Sequence, residues 1–207
     1  FKNKYKGRII SYTESPLDSA PLNRLKNMDE DDYDESLYDF NLFVTDKMEV
    51  RSKLRNNQAV IGVNISEDKM LRPAGKGEFM ALLDFAQPGF EHYREKQKRI
   101  LKKLGIRTVE LEGSYTLTEI RKIYGQASAF FLSFPETFGL PIAECLASGT
   151  YVFSPDSSWP MSWRLDEDPM PMAPGNLPDC FRVYHDEKEL EDMLKSLLKI
   201  YHLRETP

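Results

Sequence analysis

The sequence predicts an α/β fold in which helices cover both faces of a parallel sheet, over residues 78–202. Two observations lead to this prediction. Short apolar runs alternate along the chain with amphipathic segments of helical period. The apolar runs show no polar alternation, which is typical of parallel strands that are buried on both faces.

The first 77 residues carry weaker signals. Strands are predicted at residues 7–13, 40–45 and 59–65, and Asp46 is a predicted cap of a short helix that ends near residue 55. Residues 66–77 are polar and contain proline and glycine, so we interpret them as a linker. The chain therefore divides into residues 1–77 and residues 78–207.

An acidic run occupies residues 29–35, where six of the seven side chains are carboxylates. These charges repel one another and do not pack, so a solvated or disordered loop is expected. A metal site is the alternative, although no histidine or turn glycine organises the carboxylates.

The second part of the chain has the clearer elements. Its predicted strands are residues 79–86, 108–112, 129–133, 150–153 and 181–184, and its predicted helices are residues 91–104, 120–127, 140–147 and 187–202. Thr116 and Glu119 have capping-box spacing, and Asp186 is a predicted cap of the last helix. Gly105 and Gly149 are predicted helix stops. This order predicts a Rossmann-like domain with ligands at the carboxyl ends of the strands, in the loops after residues 86, 112, 133 and 154.

Composition excludes several classes of protein. The 28 basic and 33 acidic side chains give a net charge of −5, which argues against general nucleic-acid binding. No apolar run reaches the roughly 18–20 residues that span a bilayer, and no signal peptide opens the sequence. Two cysteines do not make a disulfide framework, so a cytoplasmic protein is predicted. The sequence begins at Phe1 and not at a methionine, so it leaves open whether a targeting segment precedes it.

The helix at residues 91–104 is strongly basic. Its charges surround the helix and acids interrupt them, so a solvated outer face is expected. Peripheral contact with a membrane surface and binding of RNA are the alternatives. For Trp159 and Trp163, packing of a long loop is expected, with stacking on a base or a sugar as the alternative.

The loop after residues 129–133 is the most informative. Gly139 stands where a strand gives way to a helix, and Pro141 falls in the first helical turn. The free amides around Phe138, Gly139 and Leu140 predict an anion site. Glu136 before the helix and Glu144 within it supply carboxylates for sugar hydroxyls. The residues therefore predict phosphate at the helix start and a sugar beside it.

Glu136 and Glu144 are separated by seven residues. Together with residues 138–141 and 147–149, they resemble the E-x7-E signature of retaining glycosyltransferases with the GT-B fold, most of all glycosyltransferase family four. The resemblance covers residues 78–154 well, and residues 40–65 and 181–200 loosely. It implies that residues 1–77 are the remnant of an acceptor-side domain plus a linker, and that residues 78–207 are the nucleotide-sugar-binding half of a GT-B architecture.

The resemblance also implies roles for individual residues. Glu136 would be the catalytic residue that contacts hydroxyls of the donor sugar, and Glu144 would hold the ribose diol. The other implied donor-binding positions are the amides of Phe138, Gly139 and Leu140, at the diphosphate or the sugar, and Ser114 and Tyr115, near the nucleobase. The implied reaction is transfer of a hexosyl or pentosyl group with retention, in carbohydrate biosynthesis. The donor is a nucleotide diphosphate sugar, the acceptor is a carbohydrate or a glycolipid, and no metal or other cofactor is required.

Three features depart from the family pattern. The arginine and lysine that usually follow the first strand are not in place, and His92, Arg94 or Lys96 are the candidates to replace them. A long segment, residues 159–178, replaces a short glycine-rich turn. The chain holds only one complete domain of the two, which leaves open whether it transfers sugar by itself. A non-catalytic nucleotide-sugar-binding domain and a GT-B-like sugar-nucleotide epimerase are the alternatives, and the nucleotide, the sugar and the acceptor are not determined by the sequence.

Overall fold

A computed structural model describes residues 8, 10–13, 39–44, 58–63, 65, 77–136, 138–166 and 173–203. The first three strands, β1 (Ile10–Thr13), β2 (Phe40–Phe43) and β3 (Gln58–Val60), form a small parallel sheet in the order β1-β2-β3. Residue Ile10 lies opposite Phe40, and Asn41 lies opposite Gln58. The predicted helix near residues 46–55, the acidic run at residues 29–35 and nearly all of the predicted linker lie outside the described residues.

The main sheet has five parallel strands. They are β4 (Met80–Leu83), β5 (Arg107–Glu110), β6 (Ala129–Phe131), β7 (Tyr151–Ser154) and β8 (Phe181–Val183), in the order β5-β4-β6-β7-β8. Residue Ala81 of β4 lies opposite Thr108 on one side and Ala129 on the other. The predicted parallel α/β fold is thus confirmed.

Four helices connect these strands. They are α1 (Glu91–Lys103), α2 (Leu117–Gln126), α3 (Leu140–Ala147) and α4 (Glu187–Leu203), and a short 3₁₀ helix (Met161–Trp163) follows β7. The capping box of Thr116 and Glu119 is present at the start of α2. The Oδ1 atom of Asp186 accepts a hydrogen bond of 2.8 Å from the Glu189 amide, which confirms the predicted cap of α4.

Helices lie on both faces of the main sheet. Alternate strand residues therefore pack into two separate cores, one on each face. Leu82 and Phe130 pack on one face with Ile142 of α3, and α2 joins the same core. Leu83 and Phe131 pack on the opposite face, where α1 and α4 cover them. The strands are therefore buried on both sides, as their unbroken apolar character predicts.

Four of the five strands of the main sheet end before their predicted carboxyl ends, and β7 ends one residue after its own. The predicted strand 79–86 ends at Leu83, and the predicted strand 129–133 ends at Phe131. The chain leaves the sheet where polar side chains, Asp84 and Ser133, follow the apolar residues. Apolar character alone did not locate these ends, because buried loop residues such as Leu132 are as apolar as the strand.

The prediction that α1 presents basic side chains to solvent all around is wrong at one position. Arg94 is only 7% exposed and faces the sheet, beside the fully buried Gln97. Other basic side chains of this helix pair with acids on neighbouring elements: Lys98 with Glu110, Arg99 with Glu187, and Lys103 with Glu191. The charge of α1 is thus partly balanced within the fold.

Candidate functional site

The strand order places a switch point of the sheet between the loops after β4 and β6. From β4 the chain crosses to β5 on one side, whereas β6 lies on the other side of β4. At such a switch point the two loops leave the sheet in opposite directions, and ligands of α/β proteins bind in the space between them. The Asp84 amide donates a 3.1 Å hydrogen bond to the Phe131 carbonyl, which ties the two loop starts together.

Helix α3 follows the loop after β6, at this switch point, with Gly139 as its N-cap. The φ angle of Gly139 is 64°, a left-handed conformation that favours glycine. The first amides of α3 have no partner within the helix, and the helix dipole gives this end a partial positive charge. The observed bounds of α3 match the predicted ones. The start of this helix, which the sequence predicts to bind an anion, lies at the switch point of the sheet.

The Glu136 side chain rests on Gly139. A Cβ atom at Gly139 would lie 2.6 Å from Cγ of Glu136, so only a glycine allows this approach. Glu136 is half-buried, and burial raises the pKa of its carboxyl group. The candidate catalytic acid therefore lies directly beside the start of α3.

Glu144 is in a different environment. It is 7% exposed, and its Oε1 atom lies 3.0 Å from Nε of Arg121 on α2. The Arg121 cation offsets part of the free-energy cost of removing this carboxylate from water. Glu144 is thus a buried, paired acid, whereas Glu136 has no arginine or lysine partner among the residues that the structure describes.

Three acids, Asp84, Glu144 and Glu136, lie close enough to the Tyr124 hydroxyl group on α2 to influence its ionisation. Burial raises the pKa of Tyr124, and the nearby groups Cys145, Asp84, Glu144 and Glu136 raise it further, in that order. The structure therefore brings the two glutamates of the sequence motif to the same region. It adds Asp84, which the sequence analysis did not single out. The available signal was an acid that ends an apolar strand just before the predicted ligand-binding loop.

Phe138 and Leu140 flank Gly139. Trp163 donates a 2.6 Å hydrogen bond from Nε1 to the Phe138 carbonyl and stacks on the Phe138 ring. Trp159 is buried against Phe90 and Tyr93. Both tryptophans pack within the protein, which confirms the structural interpretation. Leu140 is exposed.

Ser114 and Tyr115 lie in the loop after β5, at the same edge of the sheet. Ser114 is exposed. The Tyr115 hydroxyl group accepts a 3.1 Å hydrogen bond from the Glu112 amide, and its ring contacts Phe85 edge-on. Tyr115 therefore borders the loop after β4.

Among the candidates for the missing basic pair, Arg94 is the buried one, packed against the loop after β5. Its NH2 atom donates to the Leu111 carbonyl at 3.2 Å, and its guanidinium group lies within 3.4 Å of Glu110 and 3.7 Å of Glu112. His92 and Lys96 are exposed and contact the Tyr93 ring. The terminal NH1 and NH2 atoms of Arg94 are thus held by protein groups, whereas its buried Nε atom has no hydrogen-bond partner among the residues that the structure describes.

A separate groove of about 630 Å³ runs between β8 and α4. Phe153, Met193 and Leu197 line it, and charged side chains of α4 form its rim. None of the predicted site residues lies in it. We place the candidate site at α3 because sheet topology, a glycine N-cap and buried carboxyl groups coincide there, and the groove has none of these features.

Comparison with models of known protein families and with curated proteins gives no match for this chain. None of the helices that the structure describes is both long and apolar enough to cross a bilayer. Within the described part of the chain, no cluster of three or more His, Cys, Asp or Glu side chains is arranged to hold a metal ion.

Proposed function

We propose that residues 78–203 bind a nucleotide diphosphate sugar at the start of α3, as the donor-binding half of a retaining glycosyltransferase. The observation that carries this proposal is the position of Glu136 on Gly139, at the switch point of the sheet. A diphosphate at this point meets the free amides of the first turn, and a sugar beside it meets a carboxylate.

The chain's own groups have separate parts in this proposal. The amides of Phe138, Gly139 and Leu140 hold the diphosphate and stabilise the negative charge that develops as the sugar leaves. Glu136 accepts hydrogen bonds from sugar hydroxyls and orients the ring. Tyr115 and the exposed Ser114 border the nucleobase. Glu144 contributes to the ribose subsite in partnership with Arg121, since its Oε1 atom is already bound.

The acceptor would be bound outside residues 78–203. A carbohydrate or glycolipid acceptor would be held by a domain on the other side of the switch point, of which residues 1–77 are the proposed remnant. A glycolipid acceptor lies in a membrane, and a cytoplasmic protein would reach it by peripheral contact of α1 with the membrane surface. The basic side chains of α1 that form no ion pair with a described residue would make that contact.

A second candidate function is favoured by the contacts of Arg94. The family pattern expects free cations beside the diphosphate, and here Arg94 is held by Glu110, Glu112 and the Leu111 carbonyl. A domain with this arrangement holds a nucleotide sugar through backbone amides but stabilises the leaving group less. Binding without turnover is the expected behaviour of such a non-catalytic domain.

Calorimetry with UDP-glucose, GDP-mannose, ADP-glucose and dTDP-glucose tests the proposal. One of them should bind, and Glu136→Gln should weaken binding at least about tenfold, because a charged hydrogen bond is worth about 1.5–3 kcal/mol. Asp192→Asn is the control, since it removes an exposed acid on α4. No binding by any nucleotide sugar contradicts both candidate functions. Release or transfer of sugar by the full chain, abolished in Glu136→Gln, separates the enzyme from the non-catalytic domain.

A further inference from the structure

Strand β8 is one of the two outer strands of the main sheet. On its inner side, the Cys180 carbonyl accepts a 3.0 Å hydrogen bond from a β7 amide, and the Tyr184 amide donates a 3.1 Å hydrogen bond to a β7 carbonyl. Because backbone groups alternate in direction along a strand, those of Phe181 and Val183 point to the open side. The Phe181 amide donates to the Pro178 carbonyl. The Phe181 carbonyl and both backbone groups of Val183 therefore have no hydrogen-bond partner among the residues that the structure describes.

The groove between β8 and α4 adjoins this open side, since Arg182 of β8 lines it. Phe153, Met193 and Leu197 also line the groove, and Ile200 is 52% exposed there. Unpaired strand backbone beside exposed apolar side chains is typical of a surface that another chain covers. The open side of β8 and the groove form one surface, which we call the β8 edge.

Arg182 and Glu189 lie on the strand wall and the helix wall of this groove. The Arg182 guanidinium group rests over the Tyr151 ring, 5.1 Å from its centroid. The Glu189 Oε2 atom accepts a 2.8 Å hydrogen bond from the His185 amide, which fixes the carboxylate one residue after Tyr184. Neither Arg182 nor Glu189 forms an ion pair with a residue that the structure describes. Each copy of the chain thus presents a cation on its strand and an anion on its helix, which a two-fold axis can bring together.

We propose that the β8 edge binds a second copy of this chain, with the two β8 strands antiparallel and Val183 beside the two-fold axis. In this register each Val183 amide donates to the Val183 carbonyl of the other copy, as in the reciprocal pairs of an antiparallel ladder. Arg182 lies opposite Tyr184 of the second copy and, once turned off the Tyr151 ring, reaches Glu189 of that copy. The two five-stranded sheets become continuous, with both α4 helices on the same face, where their apolar side chains close the groove. This inference does not rest on the proposed function.

Charge selects this register. An antiparallel pair with Arg182 on the axis sets two arginines directly opposite each other, and like charges in that position are unfavourable. The remaining charged side chains of the groove are exposed and belong to α4 or its cap: Asp186, Lys188 and Asp192. With Glu189 they leave the helix wall net negative, so the arginine of a second copy is attracted to it.

Sedimentation equilibrium of the full chain tests the proposal. The wild type should form dimers that dissociate on dilution. Val183→Pro removes the amide that faces the open side and leaves the bonds to β7 in place, because proline lacks an N–H group. The dimer dissociation constant should rise about tenfold or more, since two reciprocal hydrogen bonds are lost. Val183→Thr is the matched control, since it keeps the amide and the branched shape, and it should dimerise like the wild type.

The ion pair is tested by exchanging its charges. Arg182→Glu and Glu189→Arg should each raise the dissociation constant about tenfold or more, because two like-charged pairs then face each other in the dimer. The double variant should recover most of the wild-type affinity, since each copy again presents one charge of each sign. Such recovery distinguishes the specific two-fold contact from a general effect of charge, and it decides the proposal even where Val183→Pro fails to fold.

Two results would overturn the proposal. A wild-type protein that stays monomeric at about 0.5 mM leaves the β8 edge to another segment of this chain or to a different protein. A dimer that neither Val183→Pro nor the single charge reversals weaken is formed by another surface. Thermal unfolding monitored by circular dichroism shows whether the proteins compared are folded.

Discussion

Trp163 fastens the loop that precedes α3. Its indole Nε1 atom donates a 2.6 Å hydrogen bond to the Phe138 carbonyl, and the two rings stack with centroids 5.5 Å apart and planes 16° from parallel. Phe138 lies next to Gly139, so the long segment after β7 holds the backbone on which Glu136 rests. The segment after β7 therefore has a structural role at the candidate site.

We predict that Trp163→Phe weakens ligand binding more than it destabilises the fold. The variant keeps an aromatic ring for stacking and loses one hydrogen bond, which is worth about 1 kcal/mol. Urea denaturation should show a loss of about that size, and calorimetry should show weaker binding of the nucleotide sugar. Trp159→Phe is the matched control, because Trp159 packs on Phe90 and Tyr93 instead. Equal effects of both variants on affinity would contradict the assigned role.

Replacement of Gly139 by alanine should be more costly than replacement of another glycine with the same backbone angle. In Gly139→Ala the new methyl group meets Glu136 Cγ at 2.6 Å and Ile142 at 3.0 Å. Gly113→Ala is the control, since its φ angle is 68° and nothing lies within 4 Å of its added atom. Each variant carries about 1 kcal/mol of backbone strain, and Gly139→Ala should lose roughly 1–3 kcal/mol more. Thermal unfolding measures the difference, and similar losses would refute the tight contact.

Arg164 is predicted to hold the segment after β7 in shape. It is 5% exposed and donates to the carbonyls of Ala173 and Pro174 at 2.8 and 3.1 Å, and Gly175 has no room for a side chain beside it. Arg164→Met should lower the free energy of unfolding by roughly 2–4 kcal/mol, because two carbonyls lose their donors. Limited proteolysis should cut the variant between residues 155 and 180, and Arg182→Met, in the exposed groove, should stay resistant. Equal resistance of both would contradict this prediction.

The ion pair of Arg121 and Glu144 should behave as a unit. Arg121→Met leaves a nearly buried carboxylate without this cation and should cost about 1–3 kcal/mol, less than a fully buried pair because Arg121 is partly exposed. The double variant Arg121→Met with Glu144→Gln should recover most of that loss, which a double-mutant cycle in urea measures. Additive losses would show that the two side chains act independently. If Glu144 also serves a ribose, Glu144→Gln weakens nucleotide binding even where stability is recovered.

Much of the fold could be predicted from local patterns. Apolar runs and helical period located every strand of the main sheet and all four helices, and α1 and α3 end within a residue of their predicted bounds. The capping box of α2 and the cap of α4 follow from side chains that act on amides three residues away. Such features depend on neighbours in the chain, so the sequence contains them directly.

The candidate site could be predicted only in part, because its contacts join residues that are far apart in the chain. The sequence alone determined a parallel α/β domain with a glycine-capped helix and two glutamates near its start. The tertiary structure decided that Arg121 binds Glu144, that Trp163 holds Phe138 and that the Asp84 amide binds the Phe131 carbonyl. These pairs join residues from separate loops and helices, which the strand order β5-β4-β6-β7-β8 brings together. Periodicity records which residues are buried, but not which strands are neighbours, and the charge environment of each acid depends on those neighbours.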